Sequence, residues 1–159
     1  MPIVVNQQAL EYELKLVVSE ALDVVEKGIK DTLKLRGHDN TGDLYDSIKQ
    51  EVNDTVNKIT GYVMMDEIGF LVDAGTPPSR IPFGKFRQKH SLFIEGLQNY
   101  FISKGLISEE ALRASFATTN VQQEEGMSTR ASAAFSTDGK RNHFANDAIE
   151  ALRPDIAAI

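Results

Sequence analysis

The sequence predicts an α+β fold: a long N-terminal amphipathic helix packed on a small antiparallel β-sheet, with a helical insertion and a C-terminal helix. Three observations carry that expectation. Apolar residues recur at three- and four-residue spacing across residues 7–35. Residues 48–65 are instead rich in β-branched side chains, with a polar Asn-Asp-Thr interruption in their middle. Further helical patterns follow, each bounded by Gly or Pro. A chain of 159 residues supports one modest core, so residues 1–159 are read as a single domain.

The first helix rests on Leu10, Leu14, Val17, Val18, Ala21, Val25, Ile29 and Leu33, with charged residues mostly on the other side. Asn6 is read as its N-cap and Gly37 as its stop, beyond the basic last turn of Lys34 and Arg36. Its apolar stripe is longer than a small core needs, so it either wraps a sheet or faces another subunit. Residues 37–41 form a polar loop, and TGDLYDSI opens a short helical turn capped by Thr41. Two strands, about 48–53 and 58–65, are expected to join at a turn near Asn53–Asn57, with Gly61 marking a bulge or a close backbone approach. Residues 67–75 read as a short helix ended by Gly75, and prolines 77, 78 and 82 predict an extended segment after it.

A helix over about 87–104 is predicted from Leu92, Phe93, Leu97, Tyr100 and Phe101, with Gly105 as its stop. Ser108 is read as the cap of another running to about Glu125, with Gly126 beyond. Residues 127–141 read as irregular, with a turn at Asp138-Gly139. The last helix carries Phe144, Ala148, Ile149 and Leu152 and is expected to end or kink at Pro154.

Composition narrows the function. Lys and Arg number 17 against 23 Asp and Glu, a net charge of −6, which disfavours retention on DNA or an anionic membrane by bulk attraction. With no cysteine, thiolate zinc sites, iron–sulfur clusters and cysteine nucleophiles drop out. The N-terminus lacks the basic region of a secretory signal, and no apolar run is long enough to cross a bilayer, so a soluble product made in a cytosol is expected. Phosphate-cradling glycine loops, nucleophile elbows and zincin helices are missing as motifs. A calcium loop starting at Asp39 would need Gly and Glu where Leu44 and Gln50 stand. Neighbouring carboxylates such as Asp66/Glu67 and Glu124/Glu125 point apart on a helix and read as solubilising. His90 and His143 sit beside apolar positions and are read as partly buried, hydrogen-bonded side chains. No catalytic, cofactor or metal residues are therefore assigned.

Charge is unevenly placed. Residues 41–76 hold two Lys and seven Asp or Glu, whereas residues 77–104 hold five Lys or Arg and one Glu. An acidic block beside a basic one can satisfy itself within a chain or pair head-to-tail between identical chains. Arg80, Lys85, Arg87 and Lys89, interleaved with Phe83 and Phe86, also have the composition of a nucleic-acid patch, although in an otherwise acidic chain a proline-rich loop leading into a solvated helix start explains them better.

The order of elements resembles the tail-completion, or head–tail joining, proteins of long-tailed double-stranded DNA bacteriophages. The resemblance rests on T-G-x-L-x-x-S-I (Thr41, Gly42, Leu44, Ser47, Ile48) after the long helix, on the hairpin that follows, on Asp73, Gly75 and Thr76 at the end of the short helix, and on Phe144, Ala148 and Ile149 opening the last one. It covers residues 1–76 and about 141–159, leaving a helical insertion of about 77–140 that the family pattern lacks; His143 stands where the pattern has proline. The resemblance implies a virion protein without catalysis or cofactor, assembled in the host cytoplasm and located at the neck. It implies a homo-oligomeric ring of six copies, or twelve, between a portal or head-adaptor protein and the tail tube, through which DNA passes without specific binding and with no membrane involved. It gives Thr41 and Gly42 the entry to the turn, Leu44 and Ile48 packing beneath the sheet, Gly75 and Thr76 the end of the short helix, and Asp73 a hydrogen-bonded structural role. Arg80, Lys85, Arg87 and Lys89, with Asn53, Asp54 and Asn57 at the hairpin tip, are the expected contacts with other subunits or a neighbouring ring. The rival readings are an acidic regulatory or inhibitor protein that binds a host factor, and a nucleic-acid module built on residues 80–89.

Overall fold

The computed structural model describes residues 6–38, 41–55, 58–81 and 92–159. In chain order the elements are helix α1 (Gln7–Leu35), α2 (Asp43–Ser47), strands β1 (Lys49–Thr55) and β2 (Lys58–Met64), α3 (Glu67–Ala74), α4 (Leu92–Ser103), α5 (Ser108–Glu125) and α6 (Phe144–Ile156), with 3-10 turns at Pro78–Arg80 and Ala131–Phe135. The α+β class holds: a 29-residue helix lies against a two-stranded antiparallel sheet, and helices make up the rest. Contacts divide the chain into two compact units, Met1–Ala74 with Phe135–Ile159, and Gly75–Ala134.

The first unit is built on α1. Ile29 and Leu33 of α1, Ile48 after α2, and Phe144, Ala145 and Ala148 of α6 form its buried cluster, with Val25, Leu44, Tyr45, Val63, Met65 and Val72 packed around it. Burying the larger of these side chains, Ile29, Leu33, Ile48 and Phe144, stabilises by roughly 1.5–3 kcal/mol each. Helix α6 runs back along α1, from Asp147 at Arg36 to Leu152 at Gly28. A Cβ on Gly28 would collide with Leu152 Cδ1, so the missing side chain lets the two helices approach. Helix α1 stops at Gly37, whose φ of +68° is open to glycine at little cost.

β1 and β2 pair in continuous register from Lys49↔Met64 to Thr55↔Lys58. Gly61 makes no bulge. It is the close approach of sheet to helix, for a Cβ there would lie 2.7 Å from Leu22 Cδ1 of α1. Strand β1 runs further than the sequence suggests: Asn53 and Asp54 belong to the ladder opposite Thr60 and Ile59, because pairing persists until only residues 56–57 separate Thr55 from Lys58. The expected turn at Asn53–Asn57 is corrected accordingly, and Asn57 itself lies outside the described residues.

Other boundaries shift for local reasons. Asn6 occupies the N-cap of α1 without a side-chain cap bond; its carbonyl accepts the Leu10 N–H at 3.1 Å. The cap of α2 is Gly42, at φ +85°, while Thr41 precedes it and its hydroxyl accepts the Asp43 N–H only at 3.4 Å. Pro154 lies inside α6 and does not end it: near the C-terminus a missing N–H costs one intrahelical bond, and the Ala157 N–H still reaches the Arg153 carbonyl at 3.1 Å. His143 is exposed, held in a left-handed conformation just before α6, which corrects its expected burial.

In the second unit α4 packs on α5. The α5 residues facing inward are small or polar, Ala111, Ser115, Thr119 and Gln122. The Ser115 and Thr119 hydroxyls donate to the carbonyls one turn back, at 2.7 and 2.8 Å, so their burial leaves no hydroxyl proton unpaired. Ile94 is the buried residue of α4, with Phe93, Leu97 and Phe101 half-buried beside it, whereas Leu92 is 85% exposed. The inward face is thus rotated from the predicted one. Ser108 is the first helical residue of α5 and not its cap; its hydroxyl accepts from Gln98 Nε2 at 3.1 Å. The prolines after Gly75 do not leave a purely extended segment, since Pro78 opens a 3-10 turn, a position that needs no N–H. Thr76 pairs with Met127 through two backbone hydrogen bonds of 2.8 Å.

Candidate functional site

Six of the residues singled out in the sequence converge in the first unit. Ile48, Phe144 and Ala148 are core residues, Leu44 packs against them, and Asp73 meets the start of α6. Ser47 ties the segments together: its hydroxyl donates to the Leu44 carbonyl at 2.8 Å and accepts the Asp66 N–H at 3.2 Å. Asp73 is only 9% exposed. Its Oδ1 accepts the Ala145 N–H at 2.8 Å, and its backbone carbonyl accepts the His143 N–H at 2.8 Å. It therefore satisfies two of the free N–H groups at the N-terminus of α6 and sets a negative charge at the positive end of that helix. Gly75, at φ +73°, ends α3 and stands with Thr76 in the second unit.

The predicted contact residues fall in separate parts of the chain, Asn53 and Asp54 in the first unit and Arg80 in the second. Asn53 and Asp54 are exposed on β1, Arg80 is exposed at the end of its 3-10 turn, and Lys85, Arg87 and Lys89 lie outside the described residues. Asp54 has a partner within the chain, the Lys15 ammonium of α1. That carboxylate raises the affinity of Lys15 for its proton, first through the hydrogen bond and then through charge. Both groups are exposed, so the pair registers the hairpin on α1 more than it stabilises the fold. The Asp23–Gln50 hydrogen bond registers the same two elements nearer the core.

The part played by Arg36 has no local signature beyond its place in the basic last turn of α1. Only 2% exposed, its guanidinium reaches Asp147 Oδ2 at 2.5 Å, Asp138 Oδ2 at 3.3 Å and the Asn142 carbonyl. Arg36 and then Lys140 hold the Asp147 carboxyl below its usual range; the Lys140 N–H, with Arg36 adding to it, does the same for Asp138. Beside them His38 contacts the Arg141 carbonyl through Nε2 at 2.5 Å and lies 6.1 Å from the Phe144 ring. Burial lowers its pKa, outweighing the opposing effect of that carbonyl. A basic residue in the last turn of α1 was legible, but its partners lie more than a hundred residues away. These groups bind the end of α1 to α6 and leave no free nucleophile or base among them.

Helix α1 also carries an exposed apolar row. Leu10, Leu14 and Val17, on one side of the first half of α1, are 46%, 47% and 42% exposed. They continue the row in which Gly28 meets Leu152, extending it toward the N-terminus of α1. On another side of α1, Tyr12, Lys15, Leu16 and Ser19 line an open groove of about 360 Å³ with Val52 and Asp54 of β1. Among the described residues, no group of three or more His, Asp or Glu side chains is placed to hold a metal, and no helix is long and apolar enough to cross a membrane. Comparison with protein-family models, curated proteins and solved structures found no match to this chain.

Proposed function

We propose that this chain is a non-enzymatic structural protein of a bacteriophage neck, forming a ring that joins the portal or head adaptor to the tail and leaves a channel for DNA. The observation that carries the reading is the exposed row Leu10, Leu14 and Val17. A helix of 29 residues spans about 43 Å, and its first half offers large aliphatic side chains to solvent where a domain that acts alone would spend polar ones. An apolar helical row beside acidic side chains is a surface for protein association. The order of elements and the TGDLYDSI and VDAGT segments supply the phage resemblance, and the net charge of −6 suits a conduit that DNA passes through without being gripped.

The reading is tested on the purified chain by negative-stain electron microscopy and sedimentation velocity. Closed rings with a central opening are expected, and reversing Arg80 and Arg87 to Glu should lower their yield. A chain that stays monomeric at high concentration, or that gives a discrete complex with a host protein and no rings, would favour the acidic-regulator reading instead.

A further inference from the structure

The ring reading leaves open which surfaces meet, and charge selects between the two ways in which α1 could be covered. Residues 7–24 hold four Asp or Glu and one Lys, and that Lys is engaged by Asp54. Glu13 and Glu20 are exposed on the same half-helix as Leu10, Leu14 and Val17, and Glu11 is half-exposed beside them. Two copies of α1 packed against each other through this row would set those carboxylates against their own counterparts, which opposes association. The complementary surface must be apolar and basic.

Helix α4 offers one. Leu92, Gly96, Tyr100 and Lys104 succeed one another at four-residue steps along α4 and its C-terminal end, and all four are exposed. This ridge lies away from the Ile94 side that packs inward. Lys104 holds its ammonium 5.6 Å from the centre of the Tyr100 ring, so the ridge ends in a positive charge over an aromatic face. A Cβ built on Gly96 meets nothing within 4 Å, which leaves a notch in the ridge between two large side chains. In sequence, residues 77–104 carry five Lys or Arg against one Glu, the exposed Glu95 of α4.

We infer that the exposed row of α1 in one copy docks on the α4 ridge of a second copy, with Leu14 seated at the Gly96 notch and Glu13 or Glu20 facing Lys104. The two surfaces differ, so the contact is head-to-tail and each subunit keeps one free surface of either kind, which is what propagation into a closed ring requires. Ridge-into-groove packing of aliphatic side chains gives the contact its fit, and the opposite charges give it direction.

The inference rests on the ring reading and is tested separately from it by complementation. Leu14→Lys spoils the α1 row and Gly96→Leu fills the notch; both positions are exposed, so each variant should keep the wild-type circular dichroism. Leu10→Lys and Tyr100→Glu are second variants for the two surfaces should either fail to fold. By sedimentation velocity each variant alone should be monomeric, and an equimolar mixture should form a dimer and stop there, because one intact surface of each kind remains. Assembly of Leu14→Lys or Gly96→Leu alone to the wild-type size, or a mixture that stays monomeric while wild type assembles, overturns the inference and leaves the ring reading intact. So does efficient α1–α1 disulfide formation in Leu14→Cys, a clean probe in a chain with no cysteine of its own. A wild-type chain that never assembles overturns both.

Discussion

Asp73 Oδ1 accepts the backbone N–H of Ala145 at 2.8 Å, so the residue next to last in α3 caps a helix that begins seventy residues later. One buried carboxylate thereby fixes where α6 starts, and with it the side of α1 that α6 covers. The unpartnered row of α1 begins where that cover ends.

Removing the carboxylate should leave a buried N–H without an acceptor. Asp73→Ala is expected to lose about 1–3 kcal/mol of unfolding free energy, the cost of an orphaned buried donor. Asp73→Asn keeps an oxygen in place and should recover about half of the loss. Urea denaturation followed by circular dichroism measures both, and equal losses for the two variants would assign the effect to charge at the helix end rather than to the hydrogen bond.

Arg36 serves three acceptors from a position 2% exposed. Arg36→Met should retain the packing of the stem and lose the bonds, at about 1–3 kcal/mol, because Asp138 and Asp147 are exposed enough to rehydrate. Arg36→Lys should also destabilise, since an ammonium lacks the planar fork that reaches three oxygens. Denaturation midpoints check both, and a neutral Arg36→Lys would contradict the part assigned to the guanidinium.

Acidity should weaken the same junction in two steps. His38 is lowered by burial, so its neutral form belongs to the folded state and the unfolded chain takes up the proton first. Its contribution is complete above its ordinary value near 6.5 and falls as pH drops below it. Arg36, Arg141 and Asp73 are the charged groups around it, the two arginines opposing the protonated ring and Asp73 favouring it. Asp138 and Asp147, both lowered, contribute fully above the ordinary carboxylate value of 3.8, and that stability goes as pH falls through their depressed values. His38→Gln should flatten the stability profile just below pH 6.5 and leave the lower limb unchanged, as read from thermal midpoints across pH.

Gly28 should resist replacement although it lies inside a helix. Alanine there gains about 1 kcal/mol of helix propensity but drives its Cβ into Leu152 Cδ1, an overpacking cost of typically about 1–3 kcal/mol. Gly28→Ala is therefore expected to destabilise. Adding Leu152→Val, which lacks the offending δ carbon, should make the double variant better than the sum of the single ones by at least about 0.5 kcal/mol. Strict additivity would contradict the close α1–α6 approach.

Local chemistry was legible in the sequence, and long-range chemistry was not. The limits of α1 follow from its apolar period and from Gly37, and those of α5 from its pattern and Gly126, because each signal lies within a few residues of what it controls. The hairpin was placed but its ladder was cut short at Asn53, since polar residues in an exposed strand look like a turn. Pro154 suggests an end or a kink because propensity scales describe helix interiors, whereas this proline sits two residues before the last helical residue, Ile156. Within the candidate site, the structural part of Asp73 was expected from the family pattern, although not its partner Ala145. The partners of Arg36 and His38 have no local signal because they lie about a hundred positions away, and a glycine such as Gly96 in an amphipathic helix does not say which side it opens.

A neck protein has a fixed place in the virion as well as a shape. Immunogold labelling of purified phage particles, with an antibody raised against this chain, reads that place. Label confined to the junction of head and tail is expected; intact, tailed particles from the same genome that carry no label there would refute the neck reading.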